Sequence, residues 1–301
     1  MTQAGRILIL GSAGQVGREL QRSLAGAGEV LARDRRDCDL ADAGQLRRVL
    51  RDTAPDLIVN AAAYTAVDRA ESEKELATAV NAVAPGIIAE EAHRRDVLLV
   101  HYSTDYVFDG AKKEPWVETD EPDPLNHYGA SKLAGERAIA QAAGKYLILR
   151  TSWVYGPHGK NFLLRMLQLG RERDRLSVVD DQTGSPTTAR AIAEATRLIV
   201  DALAAENFGS VEDWAGVYHM TCGGATTWRG FAQEIFERAE QRLGQRRPEL
   251  LPITSDQWPT PAKRPRNSVL SNDKLRKRFG LQLPDWKMEI ERTIEGLVCS
   301  E

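Results

Sequence analysis

Cysteine is scarce in this chain of 301 residues: Cys38, Cys222 and Cys299 stand far apart and without metal-ligand spacing. An odd, scattered set builds neither a disulfide framework nor a zinc site and suits a reducing cytosol, so a cytoplasmic protein is expected. Histidine is as sparse. His93, His101, His127, His158 and His219 form no H-x-x-x-H or similar pattern, and no metal ligand is expected among them. No apolar run approaches a membrane span, and the opening Met1-Thr-Gln-Ala-Gly5 lacks a secretory pattern, so no membrane insertion is expected. Nor is charge of either sign in excess. The formal net charge is -3 with 28% charged residues, which gives no sign of a general attraction to nucleic acid. Internal repeats and low-complexity segments are absent as well. A chain of this length buries a large core, and a small-molecule enzyme suits these bounds.

What is present begins at Arg6-Ile-Leu-Ile-Leu10, an apolar run without a polar break, as a strand buried on both faces of a parallel sheet requires. It runs straight into Gly11-Ser-Ala-Gly14-Gln-Val-Gly17 and a helical stretch from Arg18 to Leu24. Strand, glycine turn and helix in this order point to a dinucleotide site, with an ordinary glycine turn as the alternative. Gly11 permits the turn, Gly14 lets backbone approach a pyrophosphate, Gly17 allows close helix packing, and the helix N-terminus faces the negative charge. The spacing is G-x-x-G-x-x-G, one residue longer between the first two glycines than the usual fingerprint. A second strand, Glu29 to Ala32, leads to Arg33-Asp-Arg-Arg36, where the adenosine ribose belongs. An acidic residue there favours the ribose hydroxyls of NAD, and arginines accept the 2′-phosphate of NADP. Asp34 stands among Arg33, Arg35 and Arg36, so the reading leans to NADPH with NADH tolerated; a solvated mixed-charge loop is the alternative for any one of these arginines. Asp39-Leu40 follows as a contact to the adenine edge.

Strand and helix patterns alternate through the first half, with strands at Asp56 to Asn60, Val97 to Tyr102 and Leu147 to Arg150. The expected fold is α/β, a Rossmann-like doubly wound parallel sheet with a smaller α/β substrate-binding domain. Residues 1–155, with a returning segment from the second half, form the dinucleotide-binding domain, and 156–301 are mainly the substrate domain. Small and polar residues gather at four strand ends: Gly11, Ala61 to Thr65, Ser103-Thr104-Asp105 and Thr151-Ser152-Trp153. All should open onto one crevice at the carboxyl edge of the sheet. In the second half a helix is expected from Ala189 to Ala204, a strand around Val217 to Met220, and helices near Trp228 and Trp286. Pro259-Thr-Pro-Ala-Lys-Arg-Pro265 reads as an extended loop. Arg171 to Arg175 and Lys274 to Arg278 read as solvated charge runs. Arg264 and Arg266, beside the prolines, meet either a substrate diphosphate or solvent.

Tyr128-Gly-Ala-Ser-Lys132 is the candidate for the chemistry, a partly buried aromatic beside a solvated lysine being the other reading of such a pair taken alone. Four residues apart on a helix, both side chains share one face. A tyrosine of pKa about 10 needs a nearby positive charge to exchange protons with an alcohol or ketone at neutral pH. Lys132 is placed to supply that charge, and Thr104 is the hydroxyl that would hold the substrate oxygen against the phenol.

Taken together, Gly11-x-x-Gly14-x-x-Gly17, Asn60-Ala-Ala-Ala63, Ser103-Thr-Asp-Tyr-Val-Phe-Asp-Gly110 and Tyr128-x-x-x-Lys132 resemble the extended short-chain dehydrogenase/reductases. The blocks His101 to Phe108, Pro124 to Gly129, Arg150 to Tyr155, Asp181 to Thr187 and Arg264 to Ser268 narrow the likeness to the dTDP-4-dehydrorhamnose reductase family. The resemblance implies a dTDP-linked 4-keto-6-deoxy sugar as substrate, hydride delivered from NADPH or NADH, and dTDP-L-rhamnose for surface polysaccharide as product. It implies Thr104, Asp105, Tyr128 and Lys132 as catalytic residues. Gly11, Gly14, Gln15, Val16, Gly17, Asp34, Arg35, Arg36, Asp39, Leu40, Ala62, Ala63, Tyr64 and Thr65, with Tyr128 and Lys132, would border the cofactor. Thr104, Asp105, Tyr106, Trp153 and Arg264 would meet the sugar nucleotide, with core packing as the other reading of Trp153 and a turn role that of Asp105. Mg²⁺ and a homodimer enter by this likeness alone; Glu194 and Glu291 read as surface groups, and no metal ligand is assigned. A non-catalytic regulatory subunit and a nucleotide-sugar epimerase or dehydratase are the competing readings.

Overall fold

The computed structural model describes residues 5–142, 144–205 and 209–298, so Cys299 and the first four residues of the opening lie outside it. Strands β1 (Arg6–Leu10), β2 (Glu29–Arg33), β3 (Leu57–Asn60), β4 (Leu98–Thr104) and β5 (Tyr146–Thr151) share a six-stranded sheet with the later strand Gly216–His219. The order across the sheet is Gly216–His219, β5, β4, β3, β1, β2, with every neighbouring pair parallel. From β1 the chain winds first outward to β2 and then back past β1 to β3. That reversal opens a crevice at the carboxyl ends of β1 and β3.

A parallel sheet needs cover on both faces. Ile7, Ile9 and Val59 pack on one side with Leu20, Leu24, Ile192 and Ile199, supplied by α1 (Gln15–Leu24) and the helix Ala189–Ala204. Leu8, Leu10 and Ile58 pack on the other with Leu46, Leu50, Ile87, Ile88 and Ile139, from helices Ala43–Thr53, Ala84–Arg94 and His127–Gln141. The expected doubly wound α/β architecture is therefore what the chain adopts. Among the described residues no helix is long and apolar enough to cross a membrane.

Two local features aim the site. Asn126 caps the helix His127–Gln141, its Oδ1 accepting the Gly129 N–H at 2.8 Å, which fixes where Tyr128 leaves the first turn. Its Nδ2 donates to the Lys263 carbonyl at 2.8 Å and so ties that turn to the proline-rich loop, which holds no helix or strand from 259 to 265. The second half adds a parallel pair, Arg175–Val179 with Glu249–Ile253, under the helices Phe162–Glu172 and Trp228–Leu243. The charge run Arg171 to Arg175 is exposed throughout, as expected, and spans a helix end and a strand start. Leu176 and Val178, buried at alternate positions, draw the strand inward.

Candidate active site

Gly11 turns the chain at the end of β1 with φ +80°, a region that side chains rarely adopt. A Cβ at Gly11 would lie 2.6 Å from the Ala62 nitrogen, and one at Gly17 would lie 2.2 Å from the Gly11 carbonyl oxygen. Both glycines are needed so that α1 and the turn after β3 can close on this loop. Gly14 stands at the N-cap of α1 and offers no side-chain cap, so the first-turn N–H groups remain for an anion. These features suit a dinucleotide pyrophosphate.

A cleft of about 700 Å³ opens from this turn. Gly11, Gly14, Gln15, Val16, Asp34, Arg35, Ala62, Ala63 and Thr65 line one end of it, and Thr104, Asp105, Tyr106, Tyr128, Lys132 and Trp153 the other. The structure therefore brings most of the expected residues to one crevice. Gly17 lies beneath it as a packing residue. Leu40 does not reach it: it is buried in the hydrophobic cluster with Leu10, Leu46 and Leu50, because an apolar side chain beside the helix Ala43–Thr53 gains more from the core than from an adenine edge. Tyr64 also turns from the cleft, its hydroxyl donating to Glu73 at 2.6 Å and its N–H to Asn81 Oδ1 at 2.8 Å.

The charges at the end of β2 are sorted. The Arg36 guanidinium pairs with Asp34 at 2.6 Å, and together with the Arg36 N–H it lowers the Asp34 carboxyl from its ordinary value. Arg35 faces Asp39 at 3.5 Å and lines the cleft. Arg36 and Asp39 do not line it.

At the reacting end Thr104 is buried, its hydroxyl donating to Asp105 Oδ1 at 3.0 Å and bonded also to Tyr128. Ser152 donates to Asp105 Oδ2 at 3.2 Å, and Ser268 adds a further hydrogen bond. Burial nonetheless pushes Asp105 up to about 6, because these hydroxyls only partly replace water around the carboxylate. The Tyr128 ring meets Tyr106 edge-on with centroids 5.7 Å apart. Desolvation pushes the Tyr128 phenol up to about 12, Thr104 pulling the other way and the Asp105 charge adding to the rise. This corrects the expected lowering by Lys132. The lysine Nζ is held by the Tyr102 carbonyl at 2.6 Å and stands 3.1 Å from His101 Nε2, and burial brings it down to about 8.

A second cavity of about 1020 Å³ adjoins on the side of the second half, lined by Phe162, Arg165, Trp228, Trp258, Lys263 and Arg266 among others. Arg264 borders it too, yet its guanidinium is taken by Asp68 at 2.8 Å and by the Ala262 carbonyl at 3.0 Å. Arg264 thus borders the cavity and also ties the proline-rich loop to the N-terminal half; Arg266, exposed on the same cavity, is the freer cation. Trp228 lines both cavities and stacks on Trp153, with ring centroids 3.6 Å apart. Trp228, Ser152 and Ser268 are site residues that motif reading passed over. Ser152 lay inside a noted strand end, whereas nothing near Trp228 distinguished it from a helix-start aromatic. Among the described residues, no cluster of three or more His, Cys, Asp or Glu side chains could hold a metal ion. Glu194 pairs with Arg190 and Glu291 with Arg242, and the Mg²⁺ brought in by resemblance has no support.

Residues 5–299 match the family model described as the RmlD substrate binding domain. The chain is 46% identical over 297 residues to a dTDP-4-dehydrorhamnose reductase of Burkholderia thailandensis, covering 97% of this chain and 99% of that one. It is 43% identical to that of Escherichia coli, with 97% of each chain covered. The solved structure of the Bacillus anthracis dTDP-4-dehydrorhamnose reductase in complex with NADP superposes with a TM-score of 0.86 at 34% identity, over 97% of this chain and 99% of that chain.

Proposed function

The chain belongs to the RmlD substrate-binding-domain family, with dTDP-4-dehydrorhamnose reductases among its relatives, and from that premise we propose that it reduces the C4 keto group of dTDP-4-dehydro-L-rhamnose. The product is dTDP-L-rhamnose, a sugar donor for surface polysaccharide. The observation that carries this reading is the meeting of Thr104, Tyr128 and Lys132 at the end of a glycine-turn cleft, beside a second cavity large enough for a sugar nucleotide.

NADPH, when bound, supplies the hydride. The N–H groups of the first turn of α1 would hold its pyrophosphate, and Arg35 its 2′-phosphate. The Thr104 hydroxyl, turned from Asp105 toward the substrate, and the Tyr128 hydroxyl both donate to the C4 oxygen, and Tyr128 gives up its proton to it as negative charge grows there. A phenol held neutral by its surroundings arrives protonated, as a donor must. Lys132, when charged, steadies the phenolate left behind. Asp105 holds the Thr104 hydroxyl in place until the sugar takes its proton as a hydrogen bond, Trp153 and Trp228 wall the sugar, and Arg266 with Lys263 draws the diphosphate into the larger cavity.

The same reading sets the protein in the cytoplasm, where buried thiols such as Cys38 and Cys222 stay free. It names no nucleic acid or membrane as partner; sedimentation of the purified chain tests the homodimer that the resemblance admits. The decisive assay follows NADPH absorbance with dTDP-4-dehydro-L-rhamnose and a control lacking sugar. Sugar-dependent oxidation with dTDP-L-rhamnose formed supports the reading, and cofactor binding without turnover would sink it in favour of a regulatory subunit.

A further inference from the structure

His101 lies wholly buried on β4, between Asn60 of β3 and Lys132 of the helix His127–Gln141, both themselves almost inaccessible. Asn60 Nδ2 stands 3.0 Å from His101 Nδ1, and Lys132 Nζ stands 3.1 Å from His101 Nε2. The orientation of the Asn60 amide is decided from outside this chain of contacts. The Ala62 N–H donates to Asn60 Oδ1 at 3.1 Å, and turning the amide over would set two donors against each other. Nδ2 therefore faces the imidazole, Nδ1 must accept, and the single proton of a neutral imidazole sits on Nε2.

We infer that His101 is a positioning residue for Lys132: locked by Asn60 as the Nε2–H tautomer, it aims an N–H at the lysine and favours the amine over the ammonium. The inference rests on the reductase reading only for its kinetic consequence. An amine accepts from Nε2–H and still donates to the Tyr102 carbonyl at 2.6 Å. An ammonium has no lone pair and sets donor against donor. Burial acts in the same direction, bringing Lys132 to about 8, and it keeps His101 well below its ordinary value, so a doubly protonated ring is no escape.

The other groups around the lysine are accounted for. On its own helix Tyr128 lies one turn before it, and Glu136, one turn after, raises its pKa. Glu136 is itself occupied by Arg150 of β5 at 2.6 and 2.9 Å and by Ser103 of β4. His101 is thus the group facing Nζ that discriminates against the charge by direct hydrogen-bond geometry. It sets the pH at which Lys132 gives up the charge that steadies the phenolate formed in turnover, and hence the alkaline limit.

Two measurements on the full chain test this. Long-range ¹H–¹⁵N correlation on labelled protein should show His101 protonated at Nε2 and not titrating between about pH 5.5 and about pH 8. The pH profile of kcat with NADPH and dTDP-4-dehydro-L-rhamnose should show the alkaline limb of His101→Phe and His101→Gln moved upward by about half to one pH unit. The glutamine carbonyl, able to accept from an ammonium, should give the larger move. An Nδ1–H tautomer, or limbs that coincide with the native profile in folded variants, overturns the inference. Where neither variant folds, the tautomer in the native chain decides. A native chain that binds NADPH without turnover refutes the reductase reading alone, and the spectrum still judges His101.

Discussion

Trp153 and Trp228 lie face to face, their planes 5° apart and their centroids separated by 3.6 Å. Trp153 reaches this stack from a backbone φ of 47°, a strained left-handed conformation that costs a bulky residue about 1–3 kcal/mol. Gly184 makes the room, since a Cβ there would come within 2.4 Å of the indole. Strain held in place at the seam between two cavities points to a ligand-shaping wall. Trp228→Ala is expected to raise the KM for the sugar nucleotide by about tenfold or more, since a stacked aromatic wall is worth about 1–3 kcal/mol, and to leave the NADPH Kd unchanged. Steady-state kinetics beside a fluorescence titration of NADPH check this; an unchanged KM would make the pair simple packing.

Tyr128→Phe keeps the ring against Tyr106 and removes only the proton donor. Turnover should fall by about 10²–10⁴-fold with NADPH affinity retained. Near-native turnover in the folded variant would remove Tyr128 from its assigned place.

Arg35 and Arg36 are no longer equivalent. Arg35→Ala should weaken NADPH about tenfold and leave NADH almost unchanged, because Arg35 lines the cleft. Arg36→Ala releases the Asp34 carboxylate from its partner at 2.6 Å and should tilt preference toward NADH. Kd values for both cofactors in both variants provide the check, and equal losses for NADPH and NADH would mean that the pair does not read the phosphate.

Asp105 carries a stability consequence with a definite sign. Its folded pKa, about 6, is raised above the ordinary value of 3.8, so between the two the folded state holds a proton that the unfolded state has released. The group is neutral to stability below about pH 4, destabilises increasingly as pH rises to about 6, and holds that full penalty above it. Asp105→Asn should therefore gain stability of the order of 2–3 kcal/mol at neutral pH while losing turnover. Urea melts at about pH 4 and about pH 7 measure it. A variant that gains nothing at the higher pH contradicts the assignment.

The sheet was legible because strands buried on both faces show as unbroken apolar runs, as in Arg6–Leu10 and Leu57–Asn60, each ending in a small or polar residue at the crevice. The glycine turn was legible for a related reason, since backbone at 2.2 to 2.6 Å from an imagined Cβ tolerates nothing else. Pairings across long separations were not. Arg264 looked like a free cation until Asp68, 196 positions earlier, claimed it. Leu40 borders a motif in sequence but faces the core in space. The balance at Tyr128 and Lys132 depended on how much water each loses and on His101 one strand away, which no residue spacing encodes. Trp228 became a site residue only when folding laid it on Trp153.

The strand Gly216–His219 forms the edge of the sheet beyond β5, pairing with Leu147 to Arg150, and the helix Ala189–Ala204 covers Ile7, Ile9 and Val59 on one face. A fragment ending at Tyr155 would keep the glycine turn, Tyr128 and Lys132, yet it would bare the longer edge of β5 and lose the helix that covers Ile7, Ile9 and Val59. Such an edge recruits other chains. The cofactor half is consequently not a portable module, and splitting the gene between the two halves should yield aggregates unless both pieces are made together and the returning strand is restored.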